Sequence, residues 1–459
     1  MSSNGEVSKE TALVISALAS FLTPFMGSSV NIALPSIGRE FQLSAISLSW
    51  ITASFILSAS VFLIPIGKIA DIYGRKKIFV IGVIFLTLSS LLIAISTSAS
   101  QLIFFRVLQG IGGAMIFGTA IAILTSVFPA GERGRALGIN VASVYLGLSL
   151  GPFMGGLLTH YLGWRSIFLI NIPLGLIIIV LTAWKLKGEW AEARGEKFDY
   201  TGSIIYGIAI TSLVYGLSIL PATGGLWLII LGTAGFFSFI RWEMIARNPV
   251  FHISLFRNNR VFVLSNIAAL INYSATFGAN FLLSLYMQYT RGLSPQDAGI
   301  ILVIQPVVMT LFSPFAGKLS DRIEPRIVAS MGMAFTALGL FLFIFLDGGT
   351  RIESIVAGLI LIGLGFALFS SPNTNAIMGS IERKFYGVAS GAVGTVRLIG
   401  QMFSMSVVIV TFAVYMGEVE ITPEYYQIFL RAEKAAFVIF TALCFLGIFA
   451  SLTRGKIRR

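Results

Sequence analysis

The chain has 459 residues, of which 56% are hydrophobic and only 11% charged, with a formal net charge of +12. A soluble domain of this size needs far more charge to cover its surface, so that class is excluded. The single cysteine, Cys444, excludes an internal disulfide framework and a cysteine metal cluster, and two histidines far apart in sequence, His160 and His252, do not suggest a metal site.

Apolar runs of about 20 residues, the length that crosses a hydrocarbon core of roughly 30 Å, follow one another nearly end to end. The first, 12–34, contains "TPFMGSSVNIALP" (23–35), with Met26 and Asn31 and no acid. The run 47–69 leads into the loop "GKIADIYGRKK" (67–77). Next come 78–98 and 101–125, the latter holding Arg106 and "GIGGA" (110–114), then 135–159, holding Asn140, Tyr145 and "GLSLGPFMGG" (147–156). The run 165–186 ends in a charged stretch, "KLKGEWAEARGEKFDY" (185–200), before 201–220 and 226–246. The second half of the chain offers 261–289, 296–319, 327–346, 353–378, 386–415 and 432–453, with Asn272, Tyr286, Gln305, Asn373, Arg397 and Gln401 among them. The pattern predicts an all-α, polytopic membrane protein with about fourteen spanning helices.

Lys and Arg cluster in every second connection: Lys68 to Lys77, Arg133 and Arg135, Lys185 to Lys197, Arg241 to Arg260, Lys318 to Arg326, Arg383 and Lys384, and the tail from Arg454 to Arg459. The connections between them hold one or none, apart from Arg431 and Lys434 near the last. This alternation is the positive-inside signature. It explains the net charge without nucleic acid and places both termini in the cytoplasm of a cell-membrane protein.

The sequence also repeats. "GKIADIYGRKK" (67–77) returns as "GKLSDRIEPR" (317–326), "GIGGA" (110–114) as "GLGFA" (363–367), and "GRALG" (134–138) as "GVASG" (387–391). A parallel duplication at nearly constant offset is how many transporters place a midplane site between two halves. The offset is too long for six helices, and the surplus matches the pair at 201–246. The expected organisation is a six-helix bundle over 1–186, a linker and inserted helix pair over 187–246, and a second six-helix bundle over 247–459.

Within the first loop, Gly67 is expected to let a neighbouring helix approach. Asp71 and Arg75, four apart on either side of Gly74, can pair at the membrane surface and hold a gate shut until a partner moves. The alternative is a topology-setting basic loop. Asp321 and Arg322 occupy the second copy. Arg106 at membrane depth costs at least about 2.5 kcal/mol unless paired or hydrated. It either faces the interior, to bind an anion or order water, or snorkels outward. Arg397 poses the same choice deeper in its helix. Gly147, Gly151, Gly155 and Gly156 with Pro152 permit close packing and a kink, as generic packing or as a seal over half the pathway.

Together these motifs resemble the major facilitator superfamily. "GKIADIYGRKK" is similar to its loop signature, "RVLQGIGGA" (106–114) to an arginine motif and "GLSLGPFMGG" to an antiporter signature. "SSVNIALP" (28–35), "WRSIFLINIPLG" (164–175) and the helix count resemble the fourteen-helix, EmrB/QacA-like drug:proton antiporter branch. The resemblance implies alternating access by rocking of two bundles, with export of amphipathic small molecules coupled to proton entry. Coupling then falls to Arg106 and Arg397, with Asp71, His160 or Glu433 as the candidate proton carriers at a pathway edge.

One departure stands out. Relatives of this branch carry an aspartate on the first helix, associated with proton coupling, where this chain has Met26. No Asp or Glu is expected at mid-membrane depth: Asp71, Glu132, Asp321, Glu324 and Glu382 read as loop residues, and Asp297, Asp347, Glu353 and Glu433 as helix edges. Arg106 and Arg397 are then the only full charges inside the helical halves. The expected cavity is basic and amphipathic: Met26, Asn31, Asn140, Tyr145, Asn272, Tyr286, Gln305, Asn373 and Gln401, each amide serving either cargo or helix–helix bonding. Such a cavity suits a neutral or anionic amphiphile better than a dication. The leading expectation is a proton-coupled multidrug-type exporter; the alternative is an uncoupled facilitator or a transporter of lipid-like anionic amphiphiles. No catalytic constellation, nucleotide loop or cofactor motif is visible, so no enzyme, cofactor or metal is expected. The expected partners are the bilayer, a small amphiphile and the proton, acting on a monomer.

Overall fold

The computed structural model describes residues 8–129, 132–251, 253–256, 259–381 and 386–455. His252, Glu382, Arg383, Lys384, the tail beyond Gly455, the side chains of the first residues of "GVASG" and the Asp321 side chain lie outside the described residues. Fourteen helices among those described are long and apolar enough to cross a membrane.

In chain order they are α1 (Lys9–Phe41), α2 (Ala45–Tyr73), α3 (Arg75–Ala94), α4 (Ala99–Val127), α5 (Arg133–Leu162), α6 (Ser166–Leu169 continuing as Asn171–Lys185) and the pair α7 (Tyr200–Ser218) and α8 (Thr223–Ile245). Six more follow: α9 (Arg260–Leu285 with a π-helical last turn, Tyr286–Thr290), α10 (Pro295–Leu302 continuing as Ile304–Arg322), α11 (Pro325–Phe343), α12 (Ile352–Gly379), α13 (Tyr386–Tyr415) and α14 (Pro423–Thr453, opening with a 3₁₀ turn). Several exceed the predicted bounds, because Ser8, Ser44 and Ser98 accept backbone N–H groups one turn before the apolar runs begin. The two interruptions have one cause. Pro173 and Pro306 lack the N–H that would bond the carbonyls of Leu169 and Leu302, the last residues before each break.

The packing respects the repeat. α4 lies against α2 and α3, and α12 lies against α10 and α11. A Cβ on Gly110 would collide with the α2 backbone at Phe55, and one on Gly112 with α3 at Gly82. Correspondingly, a Cβ on Gly363 would meet α10 at Gln305, and one on Gly365 would meet α11 at Gly332 and Thr336. Lipid tails are as apolar as leucine, so close backbone approach and interhelix hydrogen bonds, not water exclusion, hold such pairs together. Of the pair expected to be inserted, α7 packs on both α2 and α13, while α8 packs mainly on α7.

The fourteen spans give the molecule two ends. The terminal face carries residue 8 and residue 455 with the described residues of the connections at 74, 128–129, 132, 186–199, 246–251 and 259. The distal face carries the connections at 42–44, 163–165, 291–294, 344–351 and 416–422.

Candidate functional site

Near the middle of their helices, α5, α9, α10, α12 and α13 bring polar side chains together. Tyr145 Oη lies 3.3 Å from Ser370 Oγ, with Ser313, Tyr273 and Arg397 close enough to act on it electrostatically. The Arg397 guanidinium stands over the Tyr273 ring, 5.6 Å from its centroid, and Tyr273 meets Phe366 edge-on, 5.6 Å between centroids. An aromatic face offsets part of an arginine's charge, by about 0.5–2 kcal/mol. Arg397 is half-buried rather than enclosed, which leaves guanidinium edges open to a ligand. Tyr145 and Arg397 were legible in the sequence; Ser313, Phe366 and Ser370 were not, since a hydroxyl or ring in an apolar run carries no signal of the face it takes.

Arg106 is 1% exposed and fully engaged. Its Nε donates to Ile51 O of α2 (2.9 Å), its Nη1 to Gln109 Oε1 (2.7 Å), and Gln109 Nε2 passes the chain on to Ser90 Oγ of α3 (2.8 Å). Phe55 covers the guanidinium at 4.6 Å. Arg106 therefore points inward and does not snorkel, and it ties α2, α3 and α4 together.

The expected cavity amides divide. Asn31 Oδ1 accepts from Thr52 Oγ1 of α2 (3.2 Å), a helix–helix tie. Met26 is buried in the core of α1. Asn373 Oδ1 accepts 2.6 Å from Arg454 Nη1, and its Nδ2 donates to Ser265 O (3.1 Å), so this amide anchors an arginine. Tyr286 donates to Asp347 O (2.6 Å) toward the distal face. Asn140 and Gln305 are buried and Gln401 half-buried. Asn272 is fully buried with neither amide atom partnered among the described residues.

Two expectations about charge are corrected. Arg454, expected in the exposed tail, is 0% exposed. Burial pushes its guanidinium down to about 10, so it stays a cation at neutral pH and requires the Asn373 and Ser265 oxygens. Glu433, expected at a helix edge, is 1% exposed on the buried stripe of α14, one turn from Phe429 and one from Phe437. Arg106 and Arg397 are thus not the only charged groups inside the helical halves, and an acid does lie within the bundle.

At the distal face the halves meet closely. Ser284 Oγ donates to Asn31 O (2.7 Å) and Gln288 Nε2 to Ile32 O (3.0 Å). Ala45 N donates to Val419 O (3.0 Å), and Ser44 Oγ to Glu418 Oε2 (2.9 Å). The helix-five motif splits its duties. Gly147, Gly151 and Gly155 press the α5 backbone on α1 between Phe21 and Ser29, where Ser29 Oγ donates to Gly151 O (3.0 Å). Pro152 and Gly156 instead meet the start of α10, where a Cβ on Gly299 would strike Pro152 O. Among the described residues, the hydrogen bonds between 8–186 and 259–455 lie at mid-depth or toward the distal face.

At the terminal face the first loop copy is built as an ion cluster. Arg75 is bonded to Asp71 (Nη2–Oδ1 2.7 Å), to Ser126 Oγ of α4 (2.6 Å) and to Glu192 Oε1 of the linker (2.7 Å). Glu189 accepts from the backbone N–H of Lys76 (2.8 Å) and Lys77 (3.1 Å), capping α3. Ala193 N donates to Asp71 O (2.9 Å), and Lys68 pairs with Glu196 (2.6 Å). Gly74 sits at φ +118°, which favours glycine, and a side chain there would collide with Glu189. A Cβ on Gly67 would meet nothing within 4 Å, while one on Gly118 of α4 would lie 3.7 Å from the Gly67 Cα, so α4 passes beside Gly67 at ordinary contact distance. The linker acids went unnoticed in sequence, although three glutamates in a connection on the basic side were a visible anomaly. In the second copy Arg322 is exposed, with no ion pair among the described residues.

A long-helix bundle with a polar cluster at mid-depth, closed at one end, defines a membrane transporter. Residues 16–405 and 265–457 match the Major Facilitator Superfamily, to which the chain belongs. It is 27% identical over 440 residues (96% of each chain) to the riboflavin transporter RibZ of Clostridioides difficile (strain 630). It is 31% identical over 404 residues, 86% of this chain and 74% of the relative, to the multidrug resistance protein Stp of Mycobacterium tuberculosis (strain CDC 1551 / Oshkosh). The crystal structure of a bacterial homologue of the human lysosomal transporter Spinster shares the fold, with a TM-score of 0.67 at 17% identity, covering 97% of this chain and 96% of that one.

Proposed function

We propose that the protein is a secondary exporter of neutral or anionic amphipathic small molecules, working by alternating access as a monomer in the cell membrane. The observation that carries this reading is the mid-depth cluster of Tyr145, Tyr273, Ser370 and the half-open Arg397, lying beneath a distal face already closed by hydrogen bonds. Rings and hydroxyls hold an amphiphile, and a guanidinium selects against cations: two unit charges at 4 Å interact by roughly 4 kcal/mol at an effective dielectric of 20. Multidrug and export relatives support the export direction, and a relative that carries riboflavin, a neutral aromatic amphiphile, supports the cargo class. On this reading the basic terminal face is the cytoplasmic one, the state is inward-facing, and the proton is the coupling ion. The division into bundles over 1–186 and 247–459 with an intervening 187–246 fits the contacts of α7 and α8. No catalytic role is proposed.

The test is competition binding and proteoliposome transport of matched cationic, neutral and anionic dyes, with wild type and Met26→Asp. Wild type should favour the neutral and anionic dyes, and Met26→Asp should raise tolerance for the cation. A wild-type preference for dications, unchanged by the substitution, overturns the cargo assignment. Orientation is checked by impermeant thiol labelling of Lys197→Cys and Glu420→Cys, which must react from opposite sides. An uncoupled facilitator is the second reading; the buried Met26 on α1, where no acid stands, favours it. It predicts cargo flux without proton flux.

A further inference from the structure

Glu433 is the one acid that the described residues enclose within the bundle without a single hydrogen bond to either carboxylate oxygen. It lies on the stripe Phe429, Glu433, Phe437 and Phe440 of α14. Phe412 of α13 packs on Phe429, and Phe343 of α11 on Phe437. The helices against α14 are α9, α11 and α13. On α9, Tyr286 is the titratable group within electrostatic reach of Glu433. The buried face of α11 carries none, and α13 at this depth is apolar or hydroxylic, its Tyr415 being exposed. On α14 itself Arg431 and Lys434 are exposed, and Tyr425 and Tyr426 are half-buried at its start. An unpartnered carboxylate in such surroundings is tolerated as the neutral acid, and as an anion it must gain water or a donor.

What Tyr286 does makes this more than a packing curiosity. Tyr286 opens the π-helical turn of α9, where Arg291 N reaches back to Tyr286 O (3.1 Å), and its hydroxyl is tied to Asp347 O in an exposed distal connection. The same turn and the residues just before it carry Ser284, Gln288 and Tyr289, which close on the α1 backbone at Asn31, Ile32 and Pro35. Two further side-chain atoms there, Gln288 Oε1 and Thr290 Oγ1, are buried without a partner. π-Helical turns of this kind recur at functional sites because their spare backbone can rearrange. We infer that Glu433 is a proton-binding site that controls the distal closure through the π-turn of α9. The neutral acid fits the closed distal face seen here. Loss of its proton favours turning the Tyr286 hydroxyl, or water, toward Glu433, which releases Asp347 and loosens the turn's grip on α1. The proton enters from the distal face by way of Tyr286 and Asp347. This rests on the exporter reading only in naming the proton as the coupling ion.

The experiment uses the full chain in nanodiscs and no cargo, so its failure is separate from a failure of the cargo assignment. Spin labels at Ser100→Cys and Glu353→Cys, both exposed on the distal face, report its opening by dipolar spectroscopy; Cys444 is buried. Wild type should shift from a short to a long distance as pH rises, Glu433→Gln should hold the short distance at every pH, and Glu433→Asp should respond with a displaced midpoint. Infrared difference spectra on the wild type should show a protonated-carboxyl C=O band that vanishes in Glu433→Gln. A distance that ignores pH in wild type, or responds identically in Glu433→Gln, overturns the proposal. If the Gln variant does not fold, an unmoved midpoint in Glu433→Asp overturns it equally.

Discussion

The two copies of the loop motif share an ancestral pattern and have parted company in structure. After α2, Asp71 has an arginine four residues on and a glycine between them. At the matching places after α10, Asp321 is followed by Glu324 and Pro325. Arg75 thereby reaches Asp71, Ser126 and Glu192 at once, whereas Pro325 begins α11 with no side chain to offer. Gly74 at φ +118° leaves room for Glu189, while Glu324 holds an ordinary φ of −50°. Only the first copy is strapped by the 186–199 linker. Two loops similar in sequence thus differ in surroundings, and among the described residues the 186–199 linker bonds to the first of them.

Four variants probe that asymmetry. Arg75→Ala removes charged hydrogen bonds to three elements, each bond contributing about 1.5–3 kcal/mol where it is shielded and less where Glu192 is exposed. Transport is expected to fall about tenfold or more with cargo affinity near normal, whereas Arg322→Ala should stay within roughly twofold. A large affinity loss in Arg75→Ala, with conformational switching intact, would place this loop in the binding site instead. Gly74→Ala forces a side chain into left-handed backbone, costing about 1–2 kcal/mol before the clash with Glu189 is counted. Limited trypsin digestion should then cut at Lys187 and Arg194 faster than in wild type; unchanged cleavage means the linker does not depend on that turn. Glu189→Gln has the smallest effect, because a carboxylate at a helix N-terminus contributes about 0.3–1 kcal/mol and salt screens it. It should speed the same cleavage modestly at low ionic strength and not at high.

The sequence was most informative where structure follows from composition and local spacing. Apolar run length located the fourteen spans, and the repeat of "GIGGA" (110–114) as "GLGFA" (363–367) was visible in the sequence, though the close packing of its glycines came from the structure. Asp71 and Arg75 could be paired because i and i+4 are neighbours on a helix surface. It was least informative where the answer depends on which face of a helix meets another. Glu433 stands near the start of an apolar run and reads as an edge, yet α14 begins at Pro423 and α9, α11 and α13 pack against it. Arg454 reads as one charge of a basic tail, and only the proximity of Asn373 and Ser265, distant in sequence, makes burial tolerable. Asn31 and Asn373 were eligible for cargo or for scaffolding, and pattern alone could not choose. Ser370 and Phe366 gained their place beside Tyr145 and Tyr273 from tertiary contact.

The seam where Gly156 and Pro152 of α5 meet Gly299 of α10 has a mechanical consequence. Backbone lies on backbone at these three residues. Parting such surfaces forfeits only dispersion and weak Cα–H···O contacts and frees no trapped rotamers. It behaves as a dry bearing: smooth, close-fitting and low in friction. Were the halves to part there, the discrete hydrogen bonds around the seam would be the directional contacts to break.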